Sequence, residues 1–188
     1  GILMRKMMLF LGGIMLGVGL GILIFFGFLR KETEPNVSML SQGSTRNPVP
    51  SLNAPAPNFE LKDLSGESVF FQKYRGKPVL LNFWATWCAP CRLEMPVFQS
   101  RFEKYSGDLS IVAVNNAENL EDVQAFIDEY GLTFDFLLDP EAEIQRLYRV
   151  SGYPTTFLID LDGVIRVRHI GLLTEDQLDS YLRDIGIQ

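Results

Sequence analysis

The sequence from residue 58 to residue 188 predicts an α/β sandwich built on a mixed sheet. Three observations lead there. Short apolar runs recur between stretches whose apolar residues fall at helical spacing, as in Val123, Phe126, Ile127 and Tyr130. Two pairs of strand-like runs are joined by turn sequences, Asp63-Leu-Ser-Gly66 and Asp160-Leu-Asp-Gly163, which read as hairpins. The other strands are separated by helices.

Taken in order, the chain first shows Met7 to Leu29, 23 residues without a charge, between Arg5-Lys6 and Arg30-Lys31. About 20 apolar residues span a bilayer, so 7–29 is expected to be a transmembrane anchor. A cleaved signal peptide is the rival; its apolar region should be nearer 7–15 residues with a small-x-small site, and none is obvious. Residues 30–57, rich in Ser, Asn, Gln and Pro and without periodicity, read as a flexible linker. Its last part, 53–58, should be extended, because a residue before proline avoids the helical region.

The folded domain is expected over 58–188. Phe59–Lys62 and Ser68–Phe71 form the first hairpin, and 74–78 a loop into a buried strand, Val79–Trp84. A first long helix follows from 90 to about 105, then a strand over 110–114, a helix over 120–130 and a short strand over 134–138. A helix over 141–149, a hairpin of 155–159 with 164–170, and a helix opened by Thr174 complete the domain. Glu175 and Asp176 lie in that last helix's first turn, where negative charge is favoured.

The charge distribution narrows the partners. From Asn58 onward there are 12 Lys/Arg against 21 Asp/Glu. An acidic domain without clustered basic residues argues against nucleic acid. No phosphate loop or dinucleotide fingerprint is present, so no cofactor is expected and electrons must come from another protein's thiols.

The chemistry gathers at Cys88-Ala-Pro-Cys91, the only two cysteines in the chain, where the buried strand hands over to a helix. The thiolate, not the thiol, attacks a disulfide. Cys88 stands just before the helix, where unpaired backbone N–H groups and the positive end of the dipole favour an anion. Pro90 suits the first turn, which does not need its missing N–H. Cys91 can reach back to resolve a mixed disulfide formed at Cys88, so Cys88 reads as the exposed nucleophile and Cys91 as the more buried thiol, with Trp87 covering one side. Zinc would need four ligands, and beyond the two cysteines only His169 is available from the usual Cys and His set. Haem attachment would need a histidine after Cys91, and Arg92 is there.

The segment Leu81-Asn-Phe-Trp-Ala-Thr-Trp-Cys-Ala-Pro-Cys-Arg-Leu-Glu-Met-Pro96, continued by Gly152-Tyr-Pro-Thr-Thr-Phe-Leu-Ile-Asp160, resembles the TlpA/ResA/CcmG branch of membrane-anchored, thioredoxin-like thiol-disulfide oxidoreductases. The resemblance covers about 58–188. It implies a thioredoxin-like three-layer sandwich with an N-terminal hairpin and a central helix-strand insert near 115–138. It further implies a redox-active Cys88–Cys91 disulfide, a cis bond before Pro154, and a substrate groove shaped by Trp87, Pro90, Tyr153 and Pro154. Thioredoxin itself has a buried Asp where this chain has Asn82. In the ResA-like branch a glutamate just past the pair is functional, which points to Glu94, three residues after Cys91 on one helical face. A carboxylate in a partly buried site has a raised pKa and can exchange a proton with a thiol.

The expected function is reduction of protein disulfides outside the cytoplasm by a membrane-tethered enzyme. By resemblance, the client would be an oxidised apocytochrome c during cytochrome c maturation, and the electron donor a membrane thiol carrier of the CcdA/DsbD kind. Two alternatives stand beside it. One is a disulfide-forming or antioxidant protein of AhpC/TSA type, although the peroxidatic Pro-x-x-x-Thr-x-x-Cys setting is not found around Cys88. The other is a non-catalytic module that binds clients.

Overall fold

A computed structural model describes residues 49–187. The anchor expected at 7–29 lies outside them, as does the linker as far as residue 48. Among the described residues no helix is long and apolar enough to cross a membrane.

Seven strands form one mixed sheet: β1 (Glu60–Asp63), β2 (Ser68–Phe70), β3 (Val79–Trp84), β4 (Ser110–Asn116), β5 (Asp135–Asp139), β6 (Thr155–Ile159) and β7 (Ile165–Ile170). Their spatial order is β2-β1-β5-β4-β3-β6-β7. β3, β4 and β5 run parallel, while β1, β2, β6 and β7 join antiparallel to their neighbours. The helices are α1 (Ala89–Lys104), α2 (Leu120–Tyr130), α3 (Glu143–Leu147) and α4 (Glu175–Asp184). α2 and β5 are the expected insert, and β5 takes a place inside the sheet between β1 and β4.

β3 is buried at all six positions because helices or loops cover both of its faces. Successive side chains alternate between faces. Leu80 and Trp84 join a core with Met95, Phe98, Val123, Phe126, Leu178 and Leu182, which belong to α1, α2 and α4. Val79, Leu81 and Phe83 join a second core with Phe59, Phe71, Ile144, Tyr148 and Phe157. The sheet is thus the middle of three layers. Asn82 shares the α1 face with Leu80 and Trp84, a placement that matters below.

Loop chemistry fixes the ends of the elements. Asp63 Oδ1 accepts from the N–H groups of Ser65 and Glu67 at 2.9 and 3.1 Å, closing the first hairpin. Asp160 Oδ1 accepts from Asp162 and Val164 at 3.0 and 2.9 Å, closing the second. Thr174 caps α4 in a reciprocal capping box with Gln177.

Three departures from the sequence reading have local causes. Phe71–Tyr74 forms a 3-10 turn instead of a strand end and loop, because Phe71 and Tyr74 bury their rings. α3 is two residues shorter at each end than expected. Asp139 supplies its N-terminal cap, and Arg149 adopts a φ of 51° just beyond it. Residues 53–56, read as the extended end of the linker, instead open on a turn, with Asn53 at a φ of 61° and Ala54 N donating to Ser51 O at 3.2 Å, and are hydrogen-bonded to the second hairpin: Asn53 N to Ile165 O at 2.8 Å and Ala56 N to Gly163 O at 2.9 Å.

Candidate active site

β3 ends at Trp84, and a turn closed by Cys88 N donating to Ala85 O at 3.2 Å delivers the chain to α1. Cys88 is the N-cap of that helix, with φ −80° and ψ 104°, and its Sγ accepts from Cys91 N at 3.3 Å. Sulfur therefore occupies the position where Ser, Thr or Asp usually satisfies a free N–H. Pro90 lies in the first turn, where no N–H is missed. Cys88 and Cys91 are joined in a disulfide.

Cys91 is fully covered and Cys88 only 5% exposed. Cys88 is thus less open than the sequence suggested, since in the disulfide its sulfur is tied back against the helix terminus. It faces solvent through a groove of about 480 Å³ lined by Trp87, Cys88, Ala89, Pro90, Gln145 and Tyr153, together with residues 150–152. Trp87 is 66% exposed and meets Tyr153 edge-on, ring centroids 5.7 Å apart. The Tyr153 hydroxyl donates to Gln145 Oε1. Burial pushes that phenol up to about 12, so it remains a neutral donor at physiological pH. The bond between Tyr153 and Pro154 is cis, and Pro154 is buried with its carbonyl accepting from Gly171 N at 2.8 Å.

Glu94 follows Cys91 by three residues on the buried side of α1. Cys91, Glu94, Met95 and Phe98 fall at helical spacing on the buried face of α1, and Asn82 comes to meet them from β3. Glu94 is 0% exposed, more deeply buried than expected. Its Oε1 accepts from Asn82 Nδ2 at 2.8 Å and its Oε2 from Leu173 N at 3.2 Å. Asn82 Nδ2 also lies 3.0 Å from Thr156 Oγ1. Burial raises the Glu94 pKa to about 8, and the two hydrogen bonds oppose the rise only in part. Glu94 is therefore protonated at neutral pH while remaining close to titrating.

The other sequence candidates fall outside this cluster. His169 is half-buried on β7, its Nε2 lying 3.1 Å from Leu172 O. Arg92 lies 3.5 Å from Glu129 and packs over the rings of Phe126 and Tyr130. Among the described residues, no three His, Cys, Asp or Glu side chains gather in a way that would hold a metal ion. Two polar residues near the turn were not singled out from sequence: Gln145, which holds Tyr153, and Glu118, which holds Thr86. Both act across long separations of chain or through a neighbour's ring, so no local spacing betrays them.

Residues 52–168 match the model of the AhpC/TSA family. Over 130 residues the chain is 48% identical to the thioredoxin-like protein YneN of Bacillus subtilis, covering 68% of this chain and 76% of that one. It is 35% identical over 173 residues to the thiol-disulfide oxidoreductase ResA of Geobacillus thermodenitrificans, covering 92% and 91% of the two chains. The crystal structure of a DsbE-type thiol:disulfide interchange protein from Chlorobium tepidum superposes with a TM-score of 0.67 at 34% identity, covering 72% of this chain and 99% of that one.

Proposed function

From the premise that this chain belongs to the thioredoxin-like AhpC/TSA family and is a thiol-disulfide oxidoreductase of the ResA/DsbE type, we propose that it reduces disulfides in client proteins from a membrane anchor, on the extracytoplasmic side. The observation that carries the reading is a Cys88–Cys91 disulfide at a helix N-terminus with a protonatable carboxyl, Glu94, buried three residues further along the same helix.

The reduced enzyme begins with Cys88 as thiolate, favoured by the N–H groups and dipole of α1. Cys88 Sγ attacks one sulfur of the client disulfide. A Cys88–client bond forms, the client S–S bond breaks, and the first client thiolate leaves. Cys91 then passes its proton to Glu94 in its ionised form, a minority at neutral pH because the pKa is about 8, and the Cys91 thiolate attacks Cys88 Sγ. The enzyme disulfide forms, the second client thiolate leaves, and two electrons have passed to the client. Trp87, Pro90 and Tyr153 line the groove against which the client's backbone is placed, and the buried Pro154 follows Tyr153 through the cis bond. Regeneration needs a dithiol donor, for which a membrane carrier of the CcdA/DsbD kind is the proposed class.

The anchor is supported by the uncharged stretch 7–29 and by the ResA match, whose 92% coverage reaches beyond 58–188 into that stretch. An apocytochrome c with an oxidised CxxC is the proposed client, on the resemblance to the ResA/CcmG branch. Cytochrome c assembly in cells carrying only Cys88→Ser is the decisive test. Normal assembly with Cys88→Ser would sink the proposal. A reduction potential of the full chain near thioredoxin's roughly −270 mV fits a reductant, whereas one near roughly −120 mV would mean disulfides are being made.

The AhpC/TSA match also keeps peroxide reduction in view as a second reading. Peroxide consumption by the reduced chain, measured directly, separates the two: turnover supports the antioxidant reading and its absence removes it.

A further inference from the structure

Thr86 stands two residues before Cys88, and both of its hydrogen-bond donors end on one carboxylate. Its backbone N–H donates to Glu118 Oε2 at 2.7 Å and its hydroxyl to Glu118 Oε1. Glu118 is itself held: Asn115 Nδ2 donates to Oε2 at 2.7 Å, and Glu118 N donates to Asn115 Oδ1 at 3.4 Å. Asn115 is buried on β4 beside Trp84, so the carboxylate is tied to the centre of the sheet. Ala117, just before it, has a φ of 52°, a conformation most side chains avoid, and its N–H donates to Asp139 O at 3.1 Å. The third polar group of Thr86, its carbonyl, lies 3.5 Å from Arg92 Nη1, and Arg92 rests on α2. Thr86 and Trp87 are the central residues of the turn that Cys88 N closes onto Ala85 O.

We propose that Glu118 is a positioning residue for the redox reaction. By gripping Thr86 it fixes the turn that presents Cys88 to the N-terminus of α1, and so sets how reactive that thiol is. The inference rests on Cys88 being the attacking thiol. Two effects of Glu118 have opposite signs. A grip keeps Cys88 aligned with the helix terminus and favours its thiolate. A negative charge acting only through space disfavours that thiolate.

Reduced full-length protein is alkylated with iodoacetamide over a range of pH, and the modified cysteine is located by peptide mapping. Modification of Cys91 ahead of Cys88 in the unaltered chain would overturn the attacking-thiol reading itself. With Cys88 modified first, Glu118→Ala is expected to slow its alkylation at neutral pH about fivefold, the scale of one net hydrogen bond, and to move the pH midpoint up. Thr86→Val removes the hydroxyl donor without changing charge, and is expected to move the midpoint the same way by less. Glu118→Gln keeps an acceptor for the Thr86 N–H and should recover part of the loss. A midpoint that moves down or stays in Glu118→Ala overturns the grip. Should Glu118→Ala fail to fold, Thr86→Val decides alone, since an unmoved midpoint there overturns the proposal equally.

Discussion

Two strand-to-helix junctions in this molecule each hold a side-chain acceptor against a helix N-terminus, a carboxylate in one and a sulfur in the other. At the β5–α3 junction, Asp139 is nearly fully buried and accepts from three backbone N–H groups: Glu143 at 2.8 Å, Ile144 at 3.1 Å and Gln145 at 2.9 Å. At the β3–α1 junction the cap is the sulfur of Cys88, with one N–H at 3.3 Å. A carboxylate saturates the donors of α3 and makes a rigid corner that supports Gln145 and Tyr153. Sulfur leaves the end of α1 under-used in the disulfide, so its donors are available when the sulfur becomes an anion. One helix terminus is committed to structure, and the other is reserved for a charge that comes and goes.

Breaking each junction should therefore fail in different currencies. Cys88→Ser is expected to lower disulfide reductase activity to background, on the order of 10⁴-fold or more. Its unfolding free energy should stay within about 1 kcal/mol of the reduced unaltered chain, since serine is itself a good cap. Insulin-disulfide reduction and urea melts report the two quantities. Appreciable residual activity would remove Cys88 as the attacking group.

The carboxyl of Glu94 comes next in size. Glu94→Gln keeps the shape but removes the exchangeable proton, and should slow single-turnover reduction of a client disulfide about 100-fold at neutral pH, the low end for general acid–base catalysis. The step affected is resolution by Cys91, so a mixed disulfide with Cys88 should accumulate and be visible on a non-reducing gel. Unchanged resolution kinetics would assign Glu94 to packing alone.

Asp139→Ala sharpens the contrast from the structural side. Three N–H groups lose their acceptor, two of them beside a core residue, Ile144, and the expected loss is about 3 kcal/mol of stability. The folded fraction should still react at Cys88 at nearly the normal rate, measured by alkylation below the melting temperature. A variant that keeps its stability would show that the corner is held by other contacts.

How much of this was readable beforehand follows from which interactions are local. The burial of β3, the CxxC turn and the Thr174 start of α4 all declare themselves in neighbouring residues. The position of Glu94 on the same helical face as Cys91 was equally legible from spacing. Its depth was not, because full coverage needs Asn82 from β3 and Leu173 from the stretch before α4, residues 12 and 79 positions away. Asp139 falls just past the strand expected over 134–138 and has no role in the sequence reading, and neither has Glu118. Its partner Thr86 lies 32 residues upstream, across a parallel crossover that sequence periodicity does not register. The 53–56 arm escaped for the same reason, since proline spacing predicts extension but neither the turn at Asn53 nor the hairpin that the arm pairs with.

The smallest effect tests why a buried acid is kept where it is costly. Glu94 has an ordinary value of 4.5 and a folded value of about 8. Below the first value both states hold the proton, and Glu94 has no influence on stability. Between the two, the unfolded chain releases a proton that the fold retains, so stability falls as pH rises and levels off above the second. The slope inside that window is about 1.4 kcal/mol per pH unit, so the unaltered chain should lose about 2 kcal/mol relative to Glu94→Gln between about pH 5 and 6.5. Paired urea melts of the two proteins isolate this difference, because every other titrating group contributes to both. Parallel curves would mean that Glu94 ionises freely in the fold, which would also remove its fitness to exchange a proton with Cys91. A diverging pair would tie the two properties together: the same burial that weakens the fold as pH rises holds a proton donor and acceptor within reach of the pH at which a thiol must lose its proton.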